Sequence, residues 1–262
     1  MRASSGESVL TRAVRILEAF DQTDPVLGVS EIARRTGLHV ATASRLVAEL
    51  VAHDLLVREP DRRVRVGMRL WELGTRASPA LRLRVVAMPF LEGVHDVVGQ
   101  HVQLGVLDGG EVLFVERLSA PGAVINYTRI AGRLPLHVSS SGLLLLAHGP
   151  AALRERVLSE PLPRYTDNTP ATDTELRARL AQVRRQGFSY CPGFVHDDAL
   201  GVAAPVRDAT GTVIAAFSVI VPNEPGAAAV VPVVRTAARG LSRALGAQAA
   251  DAPHDTEKPV SR

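Results

Sequence analysis

Residues 30–50, SEIARRTGLHVATASRLVAEL, decide how the amino-terminal part of the chain is read. Ser30 is placed to cap a short helix from Glu31 to Thr36, and Gly37 terminates it, because glycine accepts the left-handed backbone that closes a helix. After Leu38 a further helix runs to about His53 with Ala43, Leu46, Val47 and Leu50 on one face. Two short helices joined by a tight turn containing glycine make a helix-turn-helix pattern. Upstream, Ser8 caps a helix whose stripe is Leu10, Ala13, Val14, Leu17 and Phe20, ending in Asp21 to Pro25. Downstream, Leu55-Leu56-Val57 leads through Arg58-Glu59 and a Pro60-Asp61 turn into Arg63-Val64-Arg65-Val66, a hairpin closed at Gly67. A hairpin directly after the third helix makes the unit a winged helix-turn-helix; the plainer alternative is a small helical domain with a solvated basic loop.

The solvent side of the third helix carries His39, Thr42, Ser44, Arg45 and Glu49, and the wing carries Arg58, Arg62, Arg63 and Arg65. Short polar groups and an arginine suit base edges, whereas wing arginines beside phosphates add affinity without sequence information. The expected DNA-facing set is Arg12, Ser30, His39, Thr42, Ser44, Arg45, Arg62, Arg63 and Arg65. Residues 1–76 hold 12 Arg against 10 acids, so any nucleic-acid surface has to be local.

The whole chain of 262 residues is 46% apolar and 22% charged, enough to bury one or two cores. Of its 30 basic residues 29 are arginine, and the single lysine, Lys258, lies in the tail. Schiff-base, P-loop and kinase-type lysine chemistry is thereby excluded. Cys191 stands alone, which rules out a disulfide framework, a thiolate zinc site or a paired redox motif. With no secretory signal pattern and no long apolar run, the expectation is a cytoplasmic protein with no membrane role.

From Met68 to about Gly99 the sequence is mostly helical, broken at Ser78-Pro79, and Pro89 calls for a kink or a new helix start. An apolar stripe wider than one contact face there suggests self-association. Strands are expected at 101–107, 112–117, 124–127, 202–206 and 213–221, with hairpin turns at Asp108-Gly109-Gly110 and at 208–211. Helices are expected at 138–147, 151–158, 173–186 and 226–245, which together give an α+β domain. The division is 1–76 DNA-binding, 77–99 linker and dimerisation helices, 100–250 the α+β domain, and a disordered tail over 251–262.

Three stretches resemble the IclR family of bacterial transcriptional regulators: residues 8–17, SVLTRAVRIL; Ser30 through Leu38, Thr42 and Arg45-Leu46 to Asp61; and residues 132–137, GRLPLH, through Gly142. Weaker echoes are Gly187-Phe188, residues 203–206 and Ser218. The resemblance implies a winged helix-turn-helix, a dimerising linker helix and a GAF-like effector domain. Its partners would be palindromic double-stranded operator DNA, a small-molecule effector, and further copies as a homodimer or dimer of dimers. Repression is the commoner role and activation of a catabolic operon the alternative; an enzyme built on the GAF-like domain is the remaining one.

The departures from the family pattern are specific. Arg62 stands where the wing turn commonly has glycine, so a positive φ there would cost on the order of 1 kcal/mol. Ala41 replaces a usual serine. Cys191-Pro192, Gly201 and Ile220 stand where the family often has polar residues. Because an unpartnered carboxylate is costly to bury, the effector is expected to be larger and more apolar than glyoxylate or pyruvate, with Arg129 or Arg133 as its carboxylate partner. The expected effector set is Gln103, Tyr127, Arg129, His137, Ser139, Ser140, Ser141, Gly142, Cys191, Gly201, Ser218 and Ile220. Ser139-Ser140-Ser141 after His137 lacks a Gly-x-Ser-x-Gly elbow and reads as a helix cap or anion contact, so no catalytic residue is named. Cys191 reads as pocket filler and His196-Asp197-Asp198 lacks a further ligand; no metal or cofactor is expected.

Overall fold

The computed structural model describes residues 7–21, 23–76 and 79–246, and the tail expected to be disordered lies outside them. The chain divides into two compact units, Met1–Ser78 and Pro79–Arg262.

In the first unit Ser8 caps α1, Val9–Glu18, its side chain accepting the Thr11 N–H. Strand β1, Val26–Leu27, leads straight into α2, Val29–Thr36. The cap of α2 is therefore Gly28 and not Ser30, which stands exposed one residue inside the helix. Extended geometry persists to Gly28 because β1 pairs with the wing. Gly37, at φ 67°, closes α2, and His39 caps α3, Val40–Ala52. Strands β2, Leu56–Arg58, and β3, Val64–Val66, form the wing, with β1 as a third strand that its two residues do not reveal in the sequence. Ile16, Ile32, Leu46, Val47, Leu50, Leu56 and Val64 make the core. Burying each of these side chains contributes roughly 1.5–3 kcal/mol, and they fix the angle between α2 and α3. Helix α4, Met68–Thr75, buries none of its residues.

The second unit begins with α5, Pro79–Val98, which runs through Pro89 without a new start. The carbonyl that loses its donor belongs to Val85, which is exposed, so the missing bond does not strand a polar group in the core. Six strands follow: β4, His101–Asp108; β5, Glu111–Leu118; β6, Arg133–Pro135; β7, Ser189–Pro192; β8, Ala199–Arg207; and β9, Val213–Pro222. They form one antiparallel sheet in the order β6-β5-β4-β9-β8-β7. Among the described residues of the unit four further α-helices follow, α6, Ser140–His148; α7, Ala151–Ser159; α8, Asp173–Gln186; and α9, Val230–Ala244, the last preceded by a short 3-10 turn, Ala227–Ala229.

Residues alternate between the two sheet faces. Val102, Leu104, Leu200, Val202, Phe217 and Val219 meet α5 and α9. Phe114, Cys191, Ala203 and Ala216 meet α6 and α8 on the other side. Both expected hairpin turns are present, with Gly109 and Gly110 at positive φ between β4 and β5 and Gly211 at positive φ between β8 and β9. The strand expected at 124–127 does not form. Side chains occupy the backbone of its first residue instead: Gln100 Oε1 accepts from Val124 N at 2.9 Å, and the Val124 carbonyl accepts from His101 Nε2 at 2.6 Å. Residues 119–131 thus form a strap held by side chains, and the short β6 and β7 take edge places that the sequence does not signal.

Candidate functional site

Two sites emerge, one in each unit. On α3, His39, Val40, Ala41, Ser44, Arg45, Ala48 and Glu49 are exposed and Thr42 is half-buried. Arg45 and Glu49 pair at 3.1 Å across one helical turn. On the wing, Arg63 is held by Asp61 at 2.7 Å and Arg65 by Glu59 at 2.6 Å, all four solvent-facing or nearly so. Exposed pairs of this kind are worth at most about 1 kcal/mol, so a phosphate can take either arginine over at little cost. Arg62 sits at φ 69°, the left-handed backbone that glycine would adopt without strain. It forms no ion pair among the described residues. The turn is closed by Arg62 N to the Glu59 carbonyl at 3.0 Å, and Arg58 Nη1 donates to the Arg62 carbonyl at 3.0 Å. Arg12 is half-buried on α1, reaching its own cap carbonyl.

The second site is a cavity of about 480 Å³ of empty space, part of it open to solvent, between the sheet, the amino terminus of α6 and the strap. Two cross-strand rows run beneath it, and of their residues Gln103, Cys191, Gly201 and Ile220 line it. Cys191, Gly201, Ile220 and His101 lie side by side on β7, β8, β9 and β4, and Ser189, Ala203, Ser218 and Gln103 form the next row. Small residues in these rows let α6 come close. A Cβ on Gly201 would stand 2.8 Å from Ser140 Oγ, and one on Gly142 would stand 2.4 Å from the Leu136 carbonyl oxygen.

Of the expected effector set, Gln103, Tyr127, Ser139, Ser140, Ser141, Cys191, Gly201 and Ile220 line this cavity. Four do not. Gly142 is packed against the Leu136 backbone, and Ser218 lies behind Ser141, whose Oγ donates to it at 2.9 Å. His137 is buried and turned away, its Nε2 donating to the Pro163 carbonyl at 2.9 Å, and burial pushes its imidazole below the ordinary range. Arg129 is exposed outside the lining. Arg133 also stands outside the lining, its guanidinium paired with Asp108 and Glu111 at the β4–β5 turn.

The lining that sequence reading missed includes Phe114, Phe194, Asn126, Thr128 and His196. Asn126 is hidden by the strand pattern over 124–127, and Thr128 directly follows it. Phe114 was legible as a strand residue but not as a cavity wall. Tyr127 and His196 stand across the mouth with ring centres 6.1 Å apart.

The polar groups divide sharply into satisfied and unsatisfied. Gln103 Nε2 donates to Thr128 Oγ1, which in turn donates to Asn126 Oδ1 at 2.9 Å. Ser139 Oγ caps α6 by accepting the Gly142 N–H at 3.1 Å. Asn126 Nδ2 and Ser140 Oγ are buried and have no hydrogen-bond partner among the described residues. Leaving such a group unpaired costs about 1–3 kcal/mol, so both are poised for a ligand atom. The first N–H groups of α6 add to them, since they have no intrahelical acceptor and carry the positive end of the helix dipole. Cys191 is buried and its thiol is pushed up to about 12 by desolvation, which makes it wall and not nucleophile. The three serines of 139–141 make no hydrogen bond to His137 among the described residues. No group of His, Cys, Asp and Glu among the described residues is arranged to hold a metal ion.

Comparison with known proteins covers both units. The family described as "IclR helix-turn-helix domain" matches residues 9–60, and "Bacterial transcriptional regulator IclR C-terminal" matches residues 76–243. The HTH-type transcriptional regulator XynR of Escherichia coli (strain K12) is 32% identical over 79% of this chain and 83% of its own length. The Pca regulon regulatory protein of Pseudomonas putida is 26% identical over 80% of this chain and 72% of its own. Among solved structures, an IclR homologue from Microbacterium hydrocarbonoxydans, crystallised with 4-hydroxybenzoate, is 47% identical with a TM-score of 0.86, over 91% of this chain and 99% of that one.

Proposed function

The chain belongs to the IclR family of bacterial transcriptional regulators, and from that premise we propose a repressor whose affinity for palindromic double-stranded operator DNA is set by an aromatic monocarboxylate in the cavity. The observation that carries the ligand class is the pair of buried polar atoms without a partner among the described residues, Asn126 Nδ2 and Ser140 Oγ, in a cavity whose apolar wall includes Phe114, Phe194, Leu134 and Ile220. The apolar walls take a ring. The carboxylate takes the Ser140 hydroxyl, the Asn126 amide and the free N–H groups of α6, neutral donors that need no arginine. A relative bound to 4-hydroxybenzoate supports the same class. Gln103, Tyr127, Ser139, Ser141, Cys191 and Gly201 shape the remaining wall.

On the DNA side, Thr42, Ser44 and Arg45 of α3 meet base edges, while Arg62, Arg63, Arg65, Arg12 and Ser30 meet phosphates and His39 sets the start of the reading helix. Residues 1–76 are the DNA-reading domain, 77–99 the linker and 100–250 the effector domain. The modest charge of the reading face is doubled by a homodimer, or a dimer of dimers, acting in the cytoplasm and without catalysis.

Titration calorimetry with 4-hydroxybenzoate, benzoate and glyoxylate tests the ligand reading. The expected result is saturable binding of the two aromatic acids, with Ser140→Ala weakening them by about 1 kcal/mol. Binding of glyoxylate- or pyruvate-sized acids alone would sink it.

A further inference from the structure

The strap over the cavity and helix α5 lie on opposite faces of the sheet, and a bulge in β5 joins them. Along the β4–β5 ladder Gly105 stands opposite Phe114 and Leu104 opposite Glu116, so Val115 is one residue more than the partner strand has. An extra residue reverses the alternation beyond it. Phe114 therefore faces the cavity, Glu116 lies beside Leu104 on the α5 face, and Arg117, opposite Gln103, returns to the cavity side. Without the bulge, no residue pair on β5 would place a carboxylate under α5 and a guanidinium over the strap in immediate succession.

Both side chains are engaged. The Glu116 side chain is 3% exposed; one oxygen accepts from Arg84 Nε of α5 and the other from the Arg117 backbone N–H at 2.8 Å. Arg117 reaches the other way, its Nη1 donating to the Thr128 carbonyl and its Nε to Ser119 Oγ at 2.8 Å. Thr128 is bound in turn to Gln103 and Asn126 on the cavity wall. A buried carboxylate held by two donors cannot lose either without a large desolvation cost, so displacement of one end is resisted at the other.

We propose that the series Asn126, Thr128, Arg117, Glu116 and Arg84 is the positioning device through which occupancy of the cavity reaches α5, the helix that follows the DNA-reading unit in the chain. It rests on the ligand reading above. A carboxylate that takes Asn126 Nδ2 fixes the strap, the Thr128 carbonyl fixes Arg117, and the Glu116 carboxylate fixes Arg84, so the ligand favours one placement of α5.

Amide hydrogen exchange over residues 79–98 of the full chain, with and without saturating 4-hydroxybenzoate, tests the proposal. The wild type is expected to slow its exchange there by at least about threefold on binding. Glu116→Gln is expected to bind 4-hydroxybenzoate within about threefold of wild type and to lose the α5 response. Retention of that response by Glu116→Gln, or its absence in a wild type that binds the acid, overturns the proposal and leaves the ligand reading standing. If the wild type does not bind the acid, the ligand reading falls, and a ligand-free cycle of Arg84→Gln, Thr128→Val and the double variant decides the device on its own. Non-additive effects on α5 exchange of about threefold or more support it, and additive effects overturn it.

Discussion

The residues proposed to meet DNA stand on the outside of the first unit, while those proposed to meet the ligand are cut into the interior of the second. Arg45, Arg62, Arg63 and Arg65 are exposed and held, where held at all, by exposed or half-buried acids. Ser140, Ser141 and Cys191 are no more than 3% exposed and pack within the layer that α6 shares with the sheet. A surface face can be altered with little effect on folding, because its partners are water and a solvated carboxylate. A cavity made by omitting side chains from a core has no such freedom, since every group that shapes it also supports the fold.

The largest effect expected from this contrast is at Gly142. Its missing Cβ is what allows α6 to sit on the Leu136 backbone, and neither side can yield because the clash at 2.4 Å is with a carbonyl oxygen. Gly142→Ala is expected to lower stability by about 3 kcal/mol, read as a denaturation midpoint shift, and to abolish ligand binding with it. A variant of wild-type stability with altered ligand affinity would show that the two are separable here after all.

Next in size is Arg45→Ala, expected to weaken operator binding by about 1–3 kcal/mol while leaving the denaturation midpoint within about 0.5 kcal/mol. Unchanged DNA binding would remove Arg45 from the reading face. Smallest is Arg62→Gly. Relief of the left-handed backbone offers on the order of 1 kcal/mol of local stability to the wing, and loss of the side chain lowers the salt slope of DNA binding by about 1. A wing that loses stability with glycine at this position would mean that the arginine side chain contributes more than its backbone costs.

The same contrast explains what the sequence discloses. The first unit is written in local signals: the stripe on α1, Gly37 after α2, and the Pro60-Asp61 turn each act within a few residues. Even the strain at Arg62 was legible, from a position where the family prefers glycine. The cavity depends on partners far apart in sequence. Val124–Tyr127 has the residue types of a strand, yet the Val124 N–H and C=O are taken by Gln100 and His101, more than 20 residues away. Arg133 looked available for a ligand because Asp108, 25 residues before it, gave no sign of the pairing. Ser30 misled for a local reason, since a good capping residue one place inside a helix looks like its cap. The apolar character of the cavity is readable from Cys191, Gly201 and Ile220, and Ser140 stands in the expected set, but the Asn126 amide comes from the strap, where no pattern marks it.

The central claim is that one chain couples an exterior DNA-reading face to an interior aromatic-acid cavity. The most direct test is the affinity of the full chain for a fragment from its own gene neighbourhood, measured at fixed salt while 4-hydroxybenzoate or glyoxylate is added. The expected result is a saturable shift in operator affinity of roughly 5–150-fold with 4-hydroxybenzoate and none with glyoxylate. Operator binding that responds to glyoxylate and ignores the aromatic acid would contradict it.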